Sequence, residues 1–105
     1  MEHHLTLGDL IENPQKYQGW IYLKNDDSWS PQTRIVIYQS NLDLSPEDEA
    51  KEREALKSRG FNSTISTDDV EEIVENTNEQ LANATQDDFA KAMKFFYDND
   101  AFIEW

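Results

Sequence analysis

Asp68, Glu72, Glu75 and Glu79 recur at spacings of three and four residues, the interval that puts side chains on one face of a helix. At about 100° per residue the four fall within about 60° of arc. Carboxylates held in such a row form charge-assisted hydrogen bonds to lysine and arginine side chains placed across from them. Val70, Ile73, Val74, Thr77 and Leu81 fall on the opposite face. A helix here would therefore bury one side and offer the acidic row on the other. Between Arg59 and Lys91 the chain carries eight acidic side chains and no lysine or arginine. Solvated helix faces ordinarily interleave both signs, whereas an unrelieved row repels itself until something cationic approaches. Docking onto a basic protein surface is the functional reading. The plain alternative is a solvated face on an acidic protein.

Other residues could carry chemistry, and each has a simpler explanation beside it. Trp29 lies in the polar stretch Ser28-Trp29-Ser30-Pro31, after Asn25-Asp26-Asp27. An aromatic flanked by carboxylates makes a good interface anchor. The simpler reading folds Trp29 back as a lid on a sheet. The pairs Asp26-Asp27, Asp68-Asp69 and Asp87-Asp88, and the run Asp98-Asn99-Asp100, invite metal or acid–base chemistry. None has the alternating oxygen ligands, central glycine and terminal glutamate of a calcium loop. His3 and His4 are adjacent, so they point different ways, and no third ligand is spaced to help them. Near a terminus such residues are usually mobile. Phe95, Phe96, Tyr97, Phe102 and Trp105 crowd the last eleven residues; they read as core, with a homodimer contact as the alternative. There is no cysteine, and the three glycines form no phosphate loop. The usual nucleophile–base pairs therefore lack donors. Neither enzymatic activity nor a cofactor is expected.

The elements that would hold these residues follow from local chemistry. Thr6-Leu7-Gly8-Asp9, Ser45-Pro46-Glu47-Asp48, Ser66-Thr67-Asp68-Asp69 and Thr85-Gln86-Asp87-Asp88 share one pattern. A hydroxyl can cap a first helical turn, and an aspartate three residues on can reach back or face the helix dipole. Helices are expected near 7–13, 46–58, 67–83 and 86–98. Only Ala50, Ala55 and Leu56 of the second could be buried. The fourth presents Phe89, Ala92, Met93, Phe96 and Tyr97 on one side and should be central to the core. Trp20-Ile21-Tyr22-Leu23 and Arg34-Ile35-Val36-Ile37-Tyr38 are β-branched and aromatic, hence strands. Ala101–Trp105 could add a short third strand. The expected fold is α+β, one domain over 1–105, with a small antiparallel sheet of two to three strands packed with about four helices.

Composition narrows the partners. The chain has 105 residues and a net charge of −13, from 22 acidic and 9 basic side chains. Such a balance disfavours bare nucleic acid and anionic membranes, whose phosphates need Lys and Arg. It favours rapid capture of a cationic partner. No apolar run approaches the roughly 20 residues needed to span a bilayer. Met1 to Thr6 offers no cationic segment and no long apolar stretch, so a signal peptide is not expected. A soluble, cytoplasmic protein is the reading.

Taken together, Leu7-Gly8-Asp9-Leu10-Ile11, the strand Gly19-Trp20-Ile21-Tyr22-Leu23 with Trp29 after it, Val74-Glu75-Asn76, and Phe96-Tyr97 with Asp100-Ala101-Phe102 carry a resemblance. The chain resembles small acidic bacterial immunity-type proteins, encoded beside toxin genes and including those of contact-dependent growth inhibition. The resemblance spans most of the chain, and its motifs are structural. It implies a protein that binds one toxin domain and blocks an active site or essential surface. Interface residues do not carry over, because immunity surfaces vary with the toxin. The charge reading then suggests a basic nuclease domain as target, with Asp68, Glu72, Glu75 and Glu79 in its cleft and Trp29 as anchor. The competing expectation is an acidic nucleic-acid mimic or adaptor that binds several basic proteins.

Overall fold

Four hydroxyl side chains begin four helices: α1 (Leu7–Glu12), α2 (Pro46–Ser58), α3 (Thr67–Gln80) and α4 (Gln86–Asn99). The structure is a computed structural model that describes residues 1–24, 28–40 and 43–105. Thr6, Ser66 and Thr85 each accept a hydrogen bond from the amide three residues on. In return the carboxylates of Asp9, Asp69 and Asp88 accept one from the cap amides. Each such box satisfies two amides that the helix itself leaves unpaired. Ser45 caps α2 with the first of the two bonds, and Pro46 fits the first helical position, where no amide is needed.

The sheet has four strands, against the two or three expected. They are β1 (Glu2–Thr6), β2 (Trp20–Lys24), β3 (Arg34–Tyr38) and β4 (Phe61–Ser66), in the spatial order β1-β3-β2-β4. Every pairing is antiparallel. The two apolar runs form the centre. The two additional strands are the edges, and edge strands carry polar residues that blur the alternation. β1 is Glu-His-His-Leu-Thr and buries only Leu5, while β4 is Phe-Asn-Ser-Thr-Ile-Ser and buries only Ile65. His3 and His4 are thus strand residues rather than a mobile terminus. The His3 imidazole meets the Gln39 side chain at 3.2 Å and the edge of the Tyr17 ring at 5.6 Å between centroids.

Ala101–Trp105 forms no strand. It is held as an irregular segment by Gln80, whose Nε2 donates to the Ile103 carbonyl at 2.9 Å and whose Oε1 accepts from the Trp105 amide at 3.1 Å. Phe102 meets Phe96 at 5.4 Å, and Lys91 Nζ sits 5.6 Å above the Trp105 ring.

The sheet separates two apolar layers. On one face Leu5, Ile21, Leu23, Ile35, Ile37 and Ile65 pack with Leu7, Leu10 and Ile11 of α1, Val70 and Ile73 of α3, and Ala90, Ala92 and Met93 of α4. Phe89 and Phe96 support this layer, as expected. Tyr97, expected on the same side, is 45 % exposed, near the C-terminal end of α4, where its ring stacks on Trp29. On the other face Tyr22, Val36 and Tyr38 meet Leu56, the one α2 residue that is buried. One leucine covers little of a sheet.

Tyr38 ties α2 to the sheet. Its phenol donates to Glu52 Oε2 at 2.7 Å. Burial, reinforced by that hydrogen bond and the Glu52 charge, pushes the phenol up to about 12. The folded value lies above the unfolded one, so the protonated phenol favours the folded state. Its contribution is complete below about pH 10 and is lost as pH rises through about 12. Urea midpoints should therefore fall between pH 10 and 12, and Tyr38→Phe should flatten that part of the profile. An unchanged alkaline slope in Tyr38→Phe would refute the assignment.

Candidate functional site

Helix α3 is aimed by what it buries. Thr67, Val70, Ile73 and Thr77 face inward, at spacings of three and four, and α3 packs against α4 and against a 3₁₀ turn at Pro14–Lys16. Asp68, Glu72, Glu75 and Glu79 are consequently all exposed. Among the described residues, the ion pairs to carboxylates come from the N-terminal amine, His4, Arg59 and Lys94, and none reaches this row. Lys16, the cation of the neighbouring turn, rests its ammonium 5.7 Å from the Tyr17 ring. The first and last of the four are eleven residues apart, so the row runs about 16 Å along the helix axis.

The helix boundary differs slightly from expectation: α3 ends at Gln80, and Leu81 already has extended backbone. All four carboxylates remain on the helix. Asp69 does not belong to the row, because it is used in the cap with Ser66.

A groove runs beside the row. Pro14 and Gln15 line it on one side; Glu71, Val74, Glu75, Asn78 and Glu79 line it on the other, around a volume of about 560 Å³. Glu71 was missed by counting only the tightest stripe. On the same helical wheel it lies about 40° from Glu75, so a stripe about 100° wide would have included it. Glu71, Glu75 and Glu79 succeed one another at i+4 steps, roughly 6 Å apart along the axis. The groove offers three carboxylates over a partly apolar floor at Val74.

The aromatic neighbour of this face is Trp20. It is 51 % exposed, and with Gln18, Gly19, Ser66, Thr67 and Asp68 it lines a shallow hollow at the start of α3. Two hydrogen bonds fix the arrangement: Gly19 donates to Thr67 Oγ1 at 3.1 Å, and the Thr67 amide donates to the Gly19 carbonyl at 2.9 Å. The signal in the sequence was alternation. Ile21 and Leu23 belong to the helix-covered face, so Trp20 and Tyr22 must point the other way. Trp29 lies elsewhere. It is half-buried against the main core and stacks on Tyr97 at 5.6 Å with a 36° tilt. The structure does not bring it to the acidic groove. The Asp26-Asp27 pair lies outside the described residues.

Crowding four like charges on one helix has a measurable cost. Glu72→Gln/Glu75→Gln/Glu79→Gln should raise the melting temperature by about 2–5 °C at low salt. Asp68 is left in place, since its charge near the helix start is favourable. The gain should shrink as added salt screens the parent. A lower melting temperature in the variant would mean that these carboxylates have cationic partners at home.

Among the described residues no group of three or more His, Asp or Glu side chains is placed to hold a metal ion. No helix among them is long and apolar enough to cross a membrane. No curated protein and no solved structure matches the chain. Residues 4–105 match a domain of unknown function, DUF7716, and the chain belongs to that family.

Proposed function

We propose that this chain is a binding protein whose α3 face occludes a cationic cleft on another protein, and that it acts as the immunity partner of a toxin domain, a basic nuclease. One observation carries the reading: Asp68, Glu72, Glu75 and Glu79 stand exposed along one rigid helix, and no ion pair among the described residues neutralises them. Desolvating such a row is costly unless lysines and arginines meet it, and then each contact is a charge-assisted hydrogen bond. The adjoining groove adds Glu71 and the Val74 floor. The aromatic anchor in this reading is Trp20 beside Asp68 rather than Trp29, since Trp29 is already committed to Tyr97 and the core. Inhibition proceeds by exclusion of substrate, with no chemical step.

A nucleic-acid mimic that binds several basic proteins shares this electrostatics, and one experiment separates the two. The tagged protein is used as bait in its own host, beside the variant with Asn or Gln at the four acidic positions. A single dominant partner encoded next to this chain, lost with the variant, supports immunity. A set of nucleic-acid-binding proteins supports mimicry. Partners retained equally by the variant would remove α3 from both.

A further inference from the structure

On the face of the sheet that carries α2, the four strands together build a second site of opposite sign. His4 of β1, Lys24 of β2, Arg34 and Val36 of β3, and Phe61 of β4 line a hollow of about 410 Å³. The register explains the convergence. Lys24 is paired with Phe61, Thr6 with Arg34 and His4 with Val36, while Lys24 and Arg34 each lie two residues beyond the Tyr22–Val36 pair on neighbouring strands. Two cations are thereby set side by side across a β-ladder, an arrangement that repels when nothing anionic lies between.

Among the described residues no carboxylate pairs with either cation. Lys24 Nζ stands 5.6 Å from the Phe61 ring centre. Glu2, on the same face as His4, is engaged by Arg59 at 2.8 Å and by His4 at 3.1 Å. Among the described residues lining the hollow there is no aspartate or glutamate, although acidic residues outnumber basic ones 22 to 9 in the chain. Asp26 and Asp27, which follow Lys24 closely in sequence, lie outside the described residues. No α2 residue lines the hollow.

We infer that this hollow binds a small organic anion: a phosphate or carboxylate group between Arg34 and Lys24, joined to a flat apolar body lying on the partly exposed Phe61 ring. The Arg34 guanidinium presents a planar fork suited to two oxygens, and Lys24 adds a compact charge. The volume is within the range of small-molecule clefts. Strands hold the backbones of Lys24, Arg34 and Phe61, so little ordering of these three is needed on binding.

Adenosine 5′-monophosphate is a suitable probe, since it joins a phosphate to a flat ring system. Titrated into the isotope-labelled chain, it should shift the amides of residues 24, 34, 36 and 61 saturably, with a Kd below about 1 mM. Adenosine and inorganic phosphate should each bind at least about tenfold more weakly. Lys24→Gln/Arg34→Gln, both at exposed positions, should melt like the parent and lose at least about tenfold in affinity. Lys51→Gln, an exposed cation on α2 outside the hollow, should change nothing. The inference is overturned if no saturable binding occurs, if the double variant binds as well as the parent, or if Lys51→Gln weakens binding equally. It is also overturned if a hexaglutamate peptide moves the same amides at lower concentration than the nucleotide, since the face would then be a protein-docking surface.

Discussion

Asp68→Asn/Glu72→Gln/Glu75→Gln/Glu79→Gln is expected to weaken capture of a basic partner by about 100-fold at low ionic strength. A single exposed charge pair contributes a roughly threefold effect on an equilibrium, and four such effects multiply to about that size before any coupling between neighbouring carboxylates is counted. The loss should appear first in the association rate, because a row about 16 Å long steers an approaching cationic cleft before contact is made. Raising the salt should slow the parent sharply and the variant hardly at all. Trp20→Ala should act differently. It removes an exposed aromatic beside Asp68, so it should raise the dissociation rate by about tenfold or more and leave the salt dependence intact. Surface plasmon resonance over a range of salt concentrations measures both. Equal salt slopes for the parent and the four-site variant would dissociate α3 from binding altogether.

Gly19→Ala is expected to cost about 3 kcal/mol or more, enough to lower the melting temperature by about 15 °C. The backbone at Gly19 has φ +140°, where a side chain is strained. A Cβ there would also lie 2.0 Å from the Tyr38 carbonyl oxygen and 2.7 Å from its carbon. Those are backbone atoms of a central strand, so the Gly19 segment must move instead. Movement breaks its two hydrogen bonds with Thr67, at 3.1 and 2.9 Å, which join the start of β2 to the start of α3. Trp20 and Asp68 would then shift relative to one another, and partner affinity should fall even where the variant remains folded. Gly60→Ala is the control. Its φ is +88° and nothing lies within 4 Å of an added Cβ, so only the backbone penalty of about 1 kcal/mol remains. Thermal melts of the two variants side by side decide the matter. Similar midpoints would mean that the close approach to Tyr38 does not constrain the fold.

Much of this fold is written in short stretches of its sequence. The four capping sequences place the four helix starts, because each cap is completed within four residues of chain. The acidic row follows from helical period alone, and so does its exposure once Val70, Ile73 and Thr77 are inside. The central strands show because they are continuous apolar runs. What depended on partners distant in the chain was not legible. β1 pairs with a strand roughly 30 residues away, and β4 with one roughly 40 away. Their composition is polar because each buries a single side chain, Leu5 or Ile65. The exposure of Trp20, the seclusion of Trp29 beneath Tyr97, the groove beside Glu71 and the meeting of Lys24 with Arg34 and Phe61 all depend on register and on how far each helix reaches over the sheet. Local sequence fixes which way a residue points along its own element, since that geometry repeats every few residues. Which surface another element then covers is decided by packing across the whole fold, and the two charged faces of this protein exist where that cover ends.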